Sequence, residues 1–337
     1  MAHQRVSSGV EKPIVVVTRK LPASIEAEVS AHYDARLNRT DVALSADQLT
    51  VVMRQADVVI STLTDMIRAE QLTGSGVRTK LIANFGAGMN HIDLDAARRA
   101  GITVTNTPDV LTDDTADLAL ALMLMSMRRL GEGERHVRTG AWSGWRPTHM
   151  VGRSARGKTL GIIGYGRIGR AVARRAASAF GMHVVWYAPR EPRIDDATLA
   201  GPASATRVGS IEDLLRQSDV VSLHCPATPD TKHLMNAERL RMMQAGAFLI
   251  NTARGDIVDE WALVAALRDR TIAGAGLDVY EFEPSVVADL KDMENVVLLP
   301  HLGSATIETR TAMGARALAN IAAFVAGRVP PDTVVRP

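Results

Sequence analysis

The sequence predicts an α/β protein made of two Rossmann-like, doubly wound parallel-sheet domains. Three observations carry that reading. Short apolar runs alternate with amphipathic stretches along the chain, the strand–helix rhythm begins twice, near Ile14 and again near Leu160, and a glycine-rich loop of defined spacing follows the second start. With 337 residues, 46% of them hydrophobic, there is enough apolar material for two cores.

In order, the runs at 14–17, 58–60, 81–83, 160–163, 184–187, 220–223, 248–250 and 296–299 have the near-continuous apolar character of parallel strands buried on both faces. Between them, 168–180, 210–216 and 260–269 repeat their apolar residues with helical period. Residues 113–129 predict one long helix, capped by Thr112 or Asp113, acidic in its first turn and ending on Arg128 and Arg129. That helix is expected to cross between the domains.

Composition narrows the partners. Lys+Arg 39 against Asp+Glu 37 leaves a net charge of +2, which gives no general electrostatic hold on nucleic acid or an acidic membrane. A small molecule is the expected partner. The single cysteine, Cys225, excludes an internal disulfide and a multi-cysteine zinc site, and no metal is expected; it fits a reducing compartment, so the expected location is the cytoplasm. Residues 1–12 are polar and no apolar run reaches the roughly 18 residues of a membrane span. The chain therefore reads as soluble and unprocessed.

Gly164-Tyr-Gly166-Arg167-Ile168-Gly169 follows a predicted strand and opens a predicted helix, the context in which this spacing signals a dinucleotide. The first glycine allows the tight turn, the second lets backbone approach a pyrophosphate, and the third lets helix pack on strand; amides at the helix start, with Arg167 and Ile168 beside them, then meet the anion. The following strand ought to end on an acid that bonds the adenosine ribose of NAD. Here it ends Tyr187-Ala188-Pro189-Arg190, with Arg193 close behind. A guanidinium suits the 2′-phosphate of NADP, so NADP(H) is favoured over NAD(H), with solvated loop charges as the alternative reading of both arginines.

Reduction of a 2-keto acid needs a cation for the carboxylate, a proton donor for the ketone oxygen and an ionisable partner for that donor. Arg254, in Asn251-Thr-Ala-Arg-Gly-Asp256, Glu283, in Gly276-Leu-Asp-Val-Tyr-Glu-Phe-Glu-Pro284, and His301, in Leu299-Pro-His-Leu-Gly-Ser304, each follow a predicted strand. With Asn84-Phe-Gly-Ala-Gly-Met-Asn-His-Ile-Asp93, Asn106-Thr-Pro-Asp-Val-Leu-Thr112 and Thr115-Ala-Asp117, these segments make the chain resemble the D-isomer-specific 2-hydroxyacid dehydrogenase family, and within it the glyoxylate/hydroxypyruvate reductases, over nearly its whole length.

The resemblance implies a discontinuous substrate domain, residues 1–105 with 305–337, a dinucleotide domain at 106–304, and an active site in the cleft between them. It implies that Arg254 binds the substrate carboxylate and polarises the carbonyl, that Glu283 supports His301, and that His301 donates the proton, giving a D-2-hydroxy acid. A carboxylate beside an imidazole favours the charged ring, which is the form that neutralises an alkoxide. It further implies cofactor contacts at Thr115, Pro226, Thr252, Asp278, Gly303 and Ser304, and substrate contacts at the Ala87 and Gly88 amides. Asn90 stands where an Asp is commoner, without a functional reading. Trp142 and Trp145 fall in a Gly/Pro-rich stretch that in the resembled reductases lies at the dimer contact, so a homodimer is expected, with Trp145 as a hydrophobic anchor or as a visitor to the neighbouring subunit's substrate. A nicotinamide-sensing corepressor or redox sensor on the same fold is the alternative from another functional class.

Overall fold

The computed structural model describes residues 12–190 and 201–337 and divides into two compact units. The first takes in the chain up to Val110 and returns with Thr306–Pro337; the second is Leu111–Ala305. The first boundary falls a few residues beyond the 105/106 of the sequence reading because the next residues bond back: the Asn106 and Thr107 amides donate to Asp332 and Gly86 carbonyls.

In the first unit, β1 (Ile14–Val17), β2 (Asp34–Leu37), β3 (Val58–Ser61), β4 (Leu81–Asn84) and β5 (Thr103–Thr105) are joined by β13 (Thr333–Val335) in the order β13-β5-β4-β3-β1-β2. All pairs are parallel except the antiparallel β13–β5 contact. The β2-β1-β3-β4-β5 order is the flavodoxin-like variant of the doubly wound plan. Val59, Ile82, Val104, Ile67 and Ile102 pack its core on one face. β2 escaped the sequence reading because it is an edge strand whose residues are only partly covered.

The second unit holds β6 (Thr159–Ile163), β7 (His183–Tyr187), β8 (Thr206–Arg207), β9 (Val220–Leu223), β10 (Phe248–Asn251), β11 (Gly274–Leu277) and β12 (Val296–Leu298), all parallel, in the order β12-β11-β10-β9-β6-β7-β8. Counted from β6 this is the dinucleotide-fold order, with its switch point between β6 and β9. Successive residues on each strand feed opposite faces. Val221, Leu223 and Leu249 meet the helices Ile211–Gln217, Ala237–Met242 and Glu260–Arg268, while Val220, Ile162 and Ile250 meet Thr112–Met127 and Arg167–Phe180. That two-sided burial is why these strands read as unbroken apolar runs.

The helix Thr112–Met127 does not cross between units. It lies wholly in the second, packed on Arg167–Phe180 and on β10 and β11. It stops at Met127, short of Arg129, which adopts a left-handed conformation at φ 57° while its guanidinium forks onto Glu132 at 2.7 and 2.6 Å, and a second helix runs Leu130–Arg138. Among the described residues no helix is long and apolar enough to cross a membrane.

Candidate active site

The chemistry-bearing residues of the second unit hang from the carboxyl ends of its strands. After β6 comes the glycine loop. Gly164 has φ +96°, and a Cβ there would run into the His224–Cys225 peptide beyond β9. Gly166 caps the helix Arg167–Phe180 without a side-chain bond, and a Cβ on it would point into open space. A Cβ on Gly169 would strike the Gly164 carbonyl and sit 3.1 Å from Ile162 Cγ2. Turn, open approach and helix–strand packing are thus each assigned to one glycine, and the helix's first amides are left for an anion. This is a cradle that fits a dinucleotide pyrophosphate.

Other expected cofactor positions gather at the same edge. Thr115 donates to the Gly303 carbonyl at 2.9 Å. Thr252 is buried, its hydroxyl without a partner among the described residues, and the Pro226 carbonyl accepts from Thr231. Ile168 and Ser304 are half-buried and Arg167 is exposed. β7 ends at Tyr187, the described residues after it, Ala188-Pro189-Arg190, carry no carboxylate, and Arg190 is exposed; Arg193 lies outside the described residues.

Beyond β10, Asn251 ties its own turn: its amide donates to the Arg254 carbonyl at 2.8 Å and its carbonyl oxygen accepts from the Ala253 amide at 3.0 Å. Arg254 is then launched from a fixed backbone, and burial pulls its proton affinity down against the opposing pull of Glu283 and Asp256. Gly255 follows because a Cβ there would overlap the Tyr280–Glu281 peptide, so the loops after β10 and β11 lie in contact.

Beyond β11 and β12 the pieces lock together. Asp278 is 1% exposed and accepts the Leu302 amide at 2.6 Å and the Gly303 amide at 2.8 Å, while its own carbonyl accepts the His301 amide at 2.9 Å. Tyr280 bonds the Leu299 carbonyl at 2.8 Å. His301, held at φ 57°, places Nδ1 2.9 Å from a Glu283 carboxylate oxygen; their side chains are 24% and 28% exposed. Burial alone would raise the Glu283 carboxyl, but the His301 bond and charge, the Tyr280 amide and the Arg254 charge hold it below the usual range. Asp278 shifts the other way, raised by its burial against the help of the two amides. An imidazole bonded through Nδ1 to a carboxylate keeps Nε2 for proton transfer. Arg254, Glu283 and His301 therefore form one electrostatic group.

In the first unit, Ala87 and Gly88 are half-buried in the loop after β4, and the carbonyls of Gly86, Ala87, Gly88 and Met89 are engaged. Asn84 donates to Gly86 and Gly88 at 3.0 and 3.1 Å, Asn106 donates to Ala87 at 2.9 Å, and the Ile92 amide takes Met89. Neither asparagine stood among the site residues read from sequence, although Asn84 and Asn106 open two of the motifs. Glu260, Gly255 and Tyr280 were also missed, since nothing in spacing announces which backbone a side chain will meet. Trp145 and Trp142 are exposed, at 81% and 53%.

Residues 120–303 match the model of the D-isomer specific 2-hydroxyacid dehydrogenase, NAD binding domain. A glyoxylate reductase of Thermococcus litoralis is 41% identical over 96% of this chain and 97% of its own. Among solved structures, a protein from Thermus thermophilus is 42% identical with a TM-score of 0.87, covering 96% of this chain and 100% of that one. An NADPH-dependent glyoxylate/hydroxypyruvate reductase from Sinorhizobium meliloti, solved with NADP and malonate, is 32% identical with a TM-score of 0.82, covering 97% and 99%.

Proposed function

The chain belongs to the D-isomer specific 2-hydroxyacid dehydrogenase family, and from that premise we propose that it reduces a small 2-keto acid of the glyoxylate/hydroxypyruvate type to the D-2-hydroxy acid. The observation that carries the proposal is the His301–Glu283 pair at 2.9 Å, with the Arg254 charge acting on the same carboxylate. When bound, the nicotinamide supplies hydride to the keto carbon. Arg254 holds the substrate carboxylate and draws charge from the carbonyl oxygen. His301 gives that oxygen a proton from Nε2, and Glu283 fixes the ring through Nδ1 and compensates its charge. Ala87 and Gly88 contribute amide donors to the carboxylate. Asp278 holds the His301 turn, and any contact with the cofactor's carboxamide uses lone pairs beyond its two amide bonds.

The dinucleotide sits on Gly164, Gly166 and Gly169, with Arg167, Ile168, Thr115, Pro226, Thr252, Gly303 and Ser304 around it. NADP(H) is the preferred form, on the support of Arg190 and of a β7 end that lacks an acid. The protein works as a cytoplasmic homodimer in which Trp145 serves the neighbouring subunit. The named reductases among its relatives do not favour a purely sensing role.

A panel of 2-keto acids assayed against NADPH and NADH tests the reading. Glyoxylate or hydroxypyruvate turns over with NADPH the better donor, and Arg190→Ala raises KM for NADPH about tenfold or more while leaving that for NADH unchanged. No turnover with any keto acid ends the proposal, and an unmoved NADPH/NADH ratio ends the assignment of Arg190. Sedimentation equilibrium reads the dimer and its loss in Trp145→Ala.

A further inference from the structure

Across a trans peptide the carbonyl of one residue and the N–H of the next point in opposite directions. Whatever fixes the Gly86 carbonyl therefore aims the Ala87 amide, and whatever fixes the Ala87 carbonyl aims the Gly88 amide. Asn84 Nδ2, 3.0 Å from the Gly86 oxygen, and the Thr107 amide, also at 3.0 Å, do the first; Asn106 Nδ2 at 2.9 Å does the second. Among the described residues the Ala87 and Gly88 amides donate to no protein acceptor. A loop whose carbonyls are turned onto its own unit and whose successive amides are left over is a ready anion contact.

Asn84 works only in one orientation of its amide, because both loop carbonyls need its NH2. Its oxygen is claimed from the other side. His91, 2% exposed, lies with Nε2 3.0 Å from Asn84 Oδ1, and the Ser61 hydroxyl is 3.4 Å from the same atom. An oxygen accepts, so His91 carries its hydrogen on Nε2. The opposite amide orientation would set Oδ1 against two carbonyl oxygens and the NH2 against the N–H of the ring.

We infer that Asn84, oriented by His91, and Asn106 are positioning residues that aim the Ala87 and Gly88 amides at the substrate carboxylate. This rests on the reading, made above, that those amides meet the carboxylate. The two asparagines touch no reacting atom; they decide whether the loop presents hydrogens or oxygens to an anion. The Asn84-to-His91 spacing thereby gains a purpose that lies in the tautomer of a buried ring.

Asn84→Asp replaces the NH2 with an acceptor facing the Gly86 and Gly88 carbonyls. It is expected to raise KM for glyoxylate at least tenfold, with kcat changed less than threefold and the Kd for NADPH unchanged. His91→Phe removes the hydrogen that orients Asn84 and is expected to act in the same direction, whereas His91→Gln, which keeps an N–H at the right reach, restores most of the loss. The readout specific to positioning is selectivity: kcat/KM for glyoxylate falls at least fivefold more than kcat/KM for its uncharged methyl ester, whereas general damage lowers both alike. Ala87→Pro, which deletes one of the amides, separates the inference from its premise. Should it leave glyoxylate KM unmoved, the carboxylate reading fails and the inference with it. Should it raise KM while Asn84→Asp, or His91→Phe where the first variant does not fold, keeps the acid-to-ester ratio of the parent, the positioning inference alone is overturned.

Discussion

In the loop after β11 two glutamates stand two residues apart, and each has taken a histidine. Glu283 holds His301 at 2.9 Å, and Glu281 holds His233 Nε2 at 2.8 Å. Both histidines sit at positive φ, 57° and 49°, a region costly for a residue with a Cβ and kept only where surroundings enforce it. By distance and backbone the pairs are near twins; their neighbours are not. Glu283 feels the Arg254 charge and lies below the ordinary carboxyl range. Next to the Glu281 pair lies Glu260, 2% exposed, whose Oε1 accepts the Glu281 amide at 2.8 Å and whose Oε2 is buried without a partner among the described residues. The Glu283 pair has the Arg254 cation beside it, whereas the Glu260 carboxyl stands near both glutamates and bonds only the Glu281 amide. A histidine–carboxylate contact is thus no proton-transfer device by itself: it is the Arg254 charge beside the Glu283 pair that welcomes an anionic substrate.

The widest gap between the pairs should appear on deleting the histidines. His301→Ala is expected to lower kcat for keto-acid reduction by about 10²–10⁴-fold, the usual worth of a placed general acid, with cofactor affinity kept. His233→Ala should leave kcat within about threefold, as a residue outside proton transfer does. Equal losses in steady-state assays would erase the distinction. Arg254→Ala comes next, at roughly 10²–10³-fold in kcat/KM, as for loss of one preorganised charge-stabilising donor. Much of it should appear in KM, and a loss confined to the Kd of the dinucleotide would move Arg254 out of substrate binding.

Glu283→Gln is gentler, since the amide oxygen can still accept from His301, although the Tyr280 amide, which bonds the other carboxylate oxygen, then faces the NH2. What disappears is the negative charge that compensates the ring and Arg254, so kcat/KM for reduction is expected to fall about tenfold near neutrality. The native carboxyl is held below its ordinary range, so the charge persists into mildly acidic solution and is lost only as pH falls through that depressed value. A pH–rate profile whose acidic limb is the same in the variant as in the parent would show that Glu283 serves only to orient.

What the sequence disclosed follows the same physics. Arg254 and His301 could be found because β10 and β12 precede them as apolar runs, and the glycine loop because its spacing sits between a strand and a helix. β11, although expected ahead of Glu283, has no such run: it reads Gly274-Ala-Gly-Leu277, since a Cβ on Gly276 would come within 2.9 Å of Ser126 Oγ and 3.1 Å of Leu122, and one on Gly274 within 2.6 Å of the Asn295 carbonyl. Close packing removed the side chains by which strands are recognised. The links from Asp278 to the Leu302 and Gly303 amides, or from Asn84 to the Gly86 and Gly88 carbonyls, join side chain to backbone and have no periodicity, so only coordinates reveal them.

The smallest effect expected concerns stability and contrasts Glu260 with Glu283. Burial raises the Glu260 carboxyl, with the Glu281 and Glu283 charges adding to it against the Glu281 amide bond. A carboxyl raised on folding binds its proton more tightly in the folded state, so what it contributes is complete below the ordinary carboxylate range and is lost as pH climbs through the raised value. Glu260→Gln keeps the acceptor for the Glu281 amide and cannot ionise. The difference in Tm, variant minus parent, should therefore grow more positive from pH 4 to pH 7, whereas for Glu283→Gln it should grow more negative over the same span. Glu260→Ala, which strands a buried amide, should cost about 1–3 kcal/mol. Parallel trends for the two glutamines in thermal melts would mean that the two carboxylates share one environment, and the distinction between the pairs would then have to rest on Arg254 alone.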